Sequence, residues 1–199
     1  MSKPANPELK RRILDLVLEE LRDKPPERIN MRQLAAKAGV SATAIYYYFP
    51  SKNALFETIK LEAMDEMDGR IAAAVAASSG APDRIRALMR AFVGWCLEKP
   101  HLARLLMETL PAREDLDDQA MRRYYSICIR ANDIVREGVA EGSLAPRDLD
   151  LDVALAQTAL WGIVSQFWSK RVHPRFWDSP DPLVDRLADL IVETKGSRP

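Results

Sequence analysis

The stretch that decides the fold is residues 30–52, which read NMRQLAAKAGVSATAIYYYFPSK. Asn30, with a glutamine three residues later, is typical of the capped start of a short helix. Gly39 can adopt the left-handed conformation that ends this helix, and Ser41 can cap a second one. We also expect Ala35 and Gly39 to lie where the two helices cross too closely for larger side chains. Two short helices joined by a glycine-containing turn form a helix-turn-helix.

The second helix of this motif has two distinct faces. At roughly 100° per residue, Ile45, Tyr48 and Phe49 share one face, which predicts that they pack inward. Thr43 and Tyr47 point to the opposite side. Small residues and hydroxyl-bearing aromatic rings suit a helix in the major groove, because methyl groups meet thymine methyls and hydroxyls reach base edges or phosphates. The pattern therefore predicts a helix that reads DNA and in which Tyr48 is half-buried.

Two cations beside the motif are candidates for further DNA contacts. Pro50 ends the second helix and Ser51 can cap a third, which places Lys52 in the first turn of that helix. A cation there opposes the helix dipole, so the arrangement makes sense if a phosphate docks against the lysine and the free N–H groups. Arg32, near the start of the first helix, can contact either a phosphate or a guanine.

These residues match a known family. The run LAAKAGVS at 34–41, followed by IYYYFPSKNALF at 45–56, strongly resembles the DNA-binding domain of TetR-family transcriptional regulators. The resemblance implies that DNA is contacted by Arg32, Ala42, Thr43, Ala44, Tyr46, Tyr47, Tyr48 and Lys52. Thr43 and Ala44 stand where many members have Gly-Thr or Ala-Leu-like pairs. This is ordinary variation at the positions that set specificity, and it leaves the operator sequence open.

The charge is divided unevenly along a chain whose net charge is zero. Residues 1–55 carry ten Lys and Arg and six Asp and Glu, a net of +4, whereas residues 56–199 have a net of −4. A basic end on an acidic body is typical of a DNA-reading head. We therefore predict a helix-turn-helix DNA-binding domain over 1–55 and a helical body over 56–199, which the resemblance implies is a ligand-binding and dimerisation domain.

The rest of the chain predicts helices throughout, about nine in all. The first begins at Asn6-Pro7-Glu8, and a long one runs from Ser51 to about Ala77. Apolar stripes in the body predict five more helices. The first two end at Pro100 and Pro111, and a single helix then runs from about Met121 to Gly142. The last two run from near Asp152 to Arg171 and up to about Thr194. The fold class is all-α.

Residue types needed for metal binding or catalysis do not come together in the sequence. His101 and His173 lie far apart and are typical of polar residues at helix ends. Residues 148–152 imitate the start of an EF-hand, but the loop lacks the required glycine and glutamate, so capping by Asp150 or Asp152 is the simpler interpretation. We expect no metal, no cofactor and no enzymatic activity.

The two cysteines, Cys96 and Cys128, fall within apolar helical patterns. Without a secretory signal they are typical of reduced core residues in a cytoplasmic protein. No apolar run approaches the ~20 residues that span a bilayer.

The body carries the candidate ligand site and the candidate dimer surface. TetR-family bodies hold an inducer pocket among their middle helices and dimerise through the last two, so the resemblance implies both features here. The candidate pocket residues are Phe92, Trp95, Met107, Tyr124, Tyr125, Cys128, Asn132, Trp161 and Gln166. The candidate interface residues, on the two final apolar helices, are Leu160, Val164, Leu183, Leu187, Leu190 and Ile191.

The sequence thus predicts a homodimeric transcriptional regulator, a repressor that a small and largely apolar ligand releases from a palindromic operator. Two alternatives remain open. In the first, a DNA-binding protein of the same fold is controlled by a protein partner or by no ligand. In the second, the chain is a helical enzyme with a DNA-binding head.

Overall fold

The computed structural model describes residues 6–108, 118–145 and 148–192, and this part of the chain folds into ten α-helices without strands. The predicted all-α class is confirmed. The helices are α1 Pro7–Asp23, α2 Met31–Lys37, α3 Ala42–Tyr48, α4 Lys52–Ala76, α5 Ala81–Glu98, α6 Pro100–Glu108, α7 Asp118–Tyr124, α8 Ser126–Ala140, α9 Leu149–Trp168 and α10 Asp181–Val192. Short 3-10 turns at Pro26–Arg28 and Pro174–Phe176 join α1 to α2 and α9 to α10.

The described chain separates into two compact units. The first contains residues 6–63 and 101–108, and the second contains the remaining described residues from 64 onward. Compact packing thus divides the chain within α4, about two helical turns after the predicted functional boundary at residue 55. The assignment of DNA binding to 1–55 and of ligand binding to 56–199 stays a prediction.

The core of the first unit is built on the apolar stripe of α1. Ile13 and Val17 are completely buried, together with Leu34 of α2 and Ile45 of α3. The side chain of Asn6 caps α1 by accepting hydrogen bonds from the amides of the first turn. The three helices therefore close around one set of apolar side chains, as the sequence predicts.

The second unit is organised around α5, which packs against α8, α9 and α10. Trp95, Val93 and Cys96 of α5 are completely buried, and burial raises the pKa of the Cys96 thiol to about 12. Helix α9 contacts α5, α8 and α10, which agrees with its apolar character on most sides. Leu151 and Leu155 of α9 nevertheless remain exposed.

Three details of the sequence interpretation are corrected by the structure. The single helix predicted over 121–142 is divided at Tyr125, whose φ of −107° and ψ of 14° leave the helical region. This division gives ten helices instead of about nine. The cap of α9 is Asp148, whose carboxylate accepts from the Leu151 amide, so Asp150 and Asp152 lie within the first turn. Cys128 is half-buried and not a core residue.

The predicted helix ends at Pro111 and near Thr194 lie outside the described residues.

Candidate nucleic-acid interface

Local hydrogen bonds build the helix-turn-helix. The Asn30 Oδ1 atom accepts from the Arg32 amide at 2.9 Å and from the next amide at 3.3 Å, which starts α2. Ser41 Oγ accepts from the Ala44 amide at 3.1 Å and starts α3. Between them Gly39 has a φ of 72°, the left-handed conformation that glycine adopts most readily.

Of the two reasons predicted for a glycine at position 39, the left-handed backbone is confirmed and the close helix crossing is not. A Cβ atom built on Gly39 meets no atom within 4 Å, so close helix crossing does not exclude a larger side chain there. The positive φ is what requires glycine. Ala35, in contrast, is buried within the unit.

The exposed face of α3 carries the predicted base-reading residues. Thr43 and Ala42 are exposed, and the side chains of Tyr46 and Tyr47 are 46% and 57% exposed. Ala44 is half-buried, and Ile45 on the other face is completely buried. The helix therefore presents a small, methyl-bearing start followed by two phenol rings.

Tyr48 differs from the two tyrosines before it. It is half-buried, and its hydroxyl oxygen accepts a hydrogen bond of 2.9 Å from the backbone N–H of Asn6 at the start of α1. Its ring also lies edge-on to the Tyr47 ring, with the two centroids 5.4 Å apart. Tyr48 thus joins the end of α3 to the start of α1, a link that pattern alone did not reveal.

The cations beside the motif have different surroundings. Arg32 is exposed. Lys52 is half-buried: its Nζ donates to the backbone carbonyl of Glu27 at 2.9 Å and lies 5.8 Å from the centre of the Phe56 ring. The predicted Ser51 cap is present, since its Oγ accepts from the Ala54 amide at 3.0 Å.

An ion pair that the sequence analysis missed joins α1 to α2. Glu20 is buried, and its Oε1 atom lies 2.6 Å from Nζ of Lys37, while Lys24 lies 3.7 Å from the other oxygen. The sequence did contain a sign that Glu20 is buried. Glu20 comes seven positions after Ile13, so both side chains lie on the same face of α1. The buried carboxylate and its partners help to fix α2 on α1.

Two family models match the chain, one on each side of residue 70. The model described as bacterial regulatory proteins of the tetR family matches residues 13–59, and the tetracyclin repressor-like C-terminal domain matches residues 85–191. This chain belongs to the TetR family. It is a DNA-binding transcriptional regulator, and the family is one of regulators and not of enzymes.

Other proteins are similar to this chain in sequence or in fold. The nucleoid occlusion factor SlmA of Sodalis glossinidius is 26% identical over 83% of this chain and 83% of its own length. A protein of unknown function from Rhodococcus sp. RHA1 has the same fold, with a TM-score of 0.80 and 23% identity over 93% of this chain and 96% of that one. The fold is also that of AibR in complex with isovaleryl coenzyme A and operator DNA, with a TM-score of 0.68 and 18% identity over 92% and 98% of the two chains.

The candidate pocket residues of this TetR-family body have diverse surroundings. Phe92 is buried and lies edge-on to Trp161, with ring centroids 4.9 Å apart, and the Trp95 indole donates to Glu66 at 3.3 Å. Tyr125 and Gln166 are exposed, Tyr124 is half-buried, and Met107 belongs to the first unit.

Two more of these residues join α8 to α9. The Cys128 thiol donates to Gln157 at 3.4 Å, and Asn132 donates to Asp150 at 3.2 Å. Burial raises the pKa of the Cys128 thiol, which keeps it protonated at neutral pH. The Oδ1 atom of Asn132 is buried and accepts no hydrogen bond within the described chain.

The candidate interface residues differ in exposure. Leu160 and Val164 are buried within the single subunit, so they offer little surface to a partner. Leu183, Leu187 and Ile191 of α10 are half-buried. Leu190 is 55% exposed and is the most accessible of the six.

Metal-ligating side chains do not cluster in the described chain: no group of three His, Cys, Asp or Glu residues there can hold an ion. His173 caps the second 3-10 turn, with Nδ1 accepting from the Arg175 amide at 3.2 Å, as expected for a polar helix-end residue. None of the described helices is both long and apolar enough to cross a membrane.

Proposed function

We propose that this TetR-family regulator is a repressor whose dimer places two copies of α3 in the major groove of a palindromic operator. The observation that carries the proposal is the exposed face of α3, where Thr43 and the rings of Tyr46 and Tyr47 stand opposite the buried Ile45. A single short helix covers only a few base pairs, so two heads are needed to define a site. Arg32 supplies positive charge for a phosphate beside the groove.

Binding-site selection from randomised duplex DNA tests this part of the proposal. We expect the selected sequences to contain two inverted half-sites about one helical turn apart, 10–10.5 base pairs from centre to centre, or a multiple of that spacing. A selection that enriches no sequence above the starting pool contradicts the proposal. Since reading DNA requires access to the chromosome, the proposal places the protein in the cytoplasm.

The dimer is proposed to form through α9 and α10. The exposed side of α9 has Thr158, Gly162 and Ser165 at helical spacing, which allows a second helix to approach closely. Helix α10 contributes the exposed Leu190 side chain and the accessible parts of its half-buried apolar residues to the proposed interface. Two helices from each chain would form a self-complementary four-helix interface.

A small, largely apolar ligand is proposed to release the DNA. Support comes from the aromatic pair Phe92 and Trp161 and from Asn132, whose buried amide oxygen accepts no hydrogen bond within the described chain. Such a setting, apolar with one or two polar atoms, suits a small-molecule site. AibR, which has this fold, binds isovaleryl coenzyme A and operator DNA. The proposal includes no catalytic step.

A thermal-shift screen with metabolites and drugs tests for the ligand. A compound present at about 100 times its dissociation constant adds about 2.7 kcal/mol to the free energy of unfolding, enough for a clear shift of the melting temperature. The same compound is expected to release operator DNA. Turnover of a bound compound would favour the enzyme alternative.

A second candidate is a DNA-binding protein whose body is controlled by a protein partner or by no ligand. The likeness to SlmA over 83% of both chains supports it, because SlmA is a nucleoid occlusion factor. This candidate is supported if no compound in the thermal-shift screen stabilises the protein and the protein still binds a specific DNA sequence.

A further inference from the structure

The 3-10 turn Pro26–Arg28 is held at both ends. Consecutive prolines, Pro25 and Pro26, fix two φ angles at its start. Within the turn the Arg28 amide donates to the Pro25 carbonyl at 3.0 Å. Ile29, which follows, is buried in the core of the first unit. The backbone that carries Arg28 is therefore fixed before DNA binds.

Lys52 adds a third attachment to this turn. Its ammonium donates to the carbonyl of Glu27, the residue directly before Arg28, at 2.9 Å. The Nζ atom of Lys52 also lies 5.8 Å from the centre of the Phe56 ring on the next turn of α4. The hydrogen bond thus ties the turn to the start of α4, and it occupies one of the three donors of the lysine.

Arg28 itself is exposed and forms no ion pair with any described residue. Some other cations of the first unit are engaged, since Arg11 pairs with Asp15 and Glu62, and Lys37 pairs with Glu20. An unpaired guanidinium on a fixed backbone can bind a phosphate with two N–H groups, and only its side chain then has to be ordered. Arg28 also lies two residues before the cap of α2 and four residues before the predicted contact residue Arg32.

We propose that Arg28 binds a phosphate of the operator backbone, and that Lys52 acts as a positioning residue for the turn that carries Arg28. The proposal rests on the DNA-binding function proposed above and adds a contact outside the helix-turn-helix. Arg28 then contributes affinity without sequence preference, because phosphates carry no base information.

Salt-dependent operator binding of the full-length protein tests the arginine. We expect Arg28→Ala to reduce the slope of log affinity against log salt by ~0.9 for each lost phosphate contact, with the selected sequence unchanged. Arg28→Lys should restore most of the slope. Arg171→Ala removes an equally exposed cation from the second unit and should leave the slope unchanged. An unchanged slope for Arg28→Ala overturns the proposal.

A double-mutant cycle tests the positioning role of Lys52. Lys52→Met keeps an apolar stem beside Phe56 but removes the donor to Glu27. If Lys52 acts through Arg28, the salt slope of the double variant should fall by no more than the slope of the single variant with the larger loss. Additive losses overturn the positioning role, because Lys52 then binds a phosphate by itself. Absence of specific, salt-dependent binding by the wild-type protein is a different result and contradicts the proposed function itself.

Discussion

The helix starts of the helix-turn-helix and the ion pairs between helices of the body depend on interactions of different range. In the helix-turn-helix, Asn30, Ser41 and Ser51 each accept from a backbone amide no more than three residues away. In the body, Arg90 of α5 pairs with Asp185 of α10 at 2.7 Å, and Arg130 of α8 pairs with Asp68 of α4 at 2.9 Å, across 95 and 62 residues. Local interactions leave a pattern in sequence that distant pairs do not leave.

The same difference separates the functions of the two regions. The residues that would read DNA follow one another on a single helix, so their exposure is set by helical periodicity and by the buried Ile45. The candidate pocket draws on residues of α5, α8 and α9, and their arrangement depends on tertiary packing. Hence the sequence points to DNA as a partner, but it does not identify the ligand.

The largest expected effect lies in the body and concerns the proposed dimer. Leu190→Asp places a charge on a side chain that is exposed in the subunit, so the fold should persist while the interface is lost. We expect a monomer by sedimentation and a loss of operator affinity of about 100-fold or more, since specific sites are bound 10³–10⁷ times more tightly than other DNA. Weak, salt-sensitive binding through the single head should remain.

A matched variant separates this effect from a general effect of surface charge. Ile129 of α8 is 43% exposed and lies outside the last two helices, so Ile129→Asp should sediment as the wild-type dimer. A dimeric Leu190→Asp protein means that the contact lies elsewhere, whatever the control does.

The next effect compares two glycines with opposite expected signs. Gly39→Ala places a side chain on a residue with a φ of 72°, which should lower the free energy of unfolding by about 1 kcal/mol. Gly69 lies inside α4 with open space around a Cβ atom, so Gly69→Ala should raise that free energy by roughly 0.5–1 kcal/mol. Chemical unfolding of both variants measures the difference. Equal signs would show that backbone conformation does not decide the role of Gly39.

These comparisons also show how far the sequence could predict the structure. The caps Asn6, Asn30, Ser41 and Ser51 were predicted because each acts on its own helix. The break at Tyr125 was missed because the apolar stripe continues through it.

Contacts at the candidate site were harder to predict. The bond from Asn6 to Tyr48 spans 42 residues, and the bond from Lys52 to Glu27 spans 25. The pairing across such distances depends on how α1, α3 and α4 pack, which periodicity does not determine. The exposure of Thr43 and Tyr47 and the partial burial of Tyr48 were predictable, whereas the bond between Tyr48 and Asn6 was not.

The smallest expected effect distinguishes Tyr48 from its neighbours. Tyr48→Phe removes the acceptor of the Asn6 amide but keeps the ring beside Tyr47. A hydrogen bond contributes about 0.5–1.5 kcal/mol to stability, and water can replace the acceptor of this exposed amide, so we expect a loss of about 0.5 kcal/mol, at the lower end of that range. The selected DNA sequence should stay the same. A changed sequence preference would make Tyr48 a base-reading residue.

The central claim is that the exposed face of α3 reads the operator, and binding-site selection with variants of that face tests it most directly. Thr43→Ala and Tyr47→Ala leave the buried side of the helix intact, so both proteins should fold. At fixed salt we expect each variant to select an altered sequence and to lose ~1–3 kcal/mol of binding free energy on the wild-type operator for each good contact removed. If both variants select the wild-type sequence with wild-type affinity, α3 does not read DNA through this face and the account is wrong.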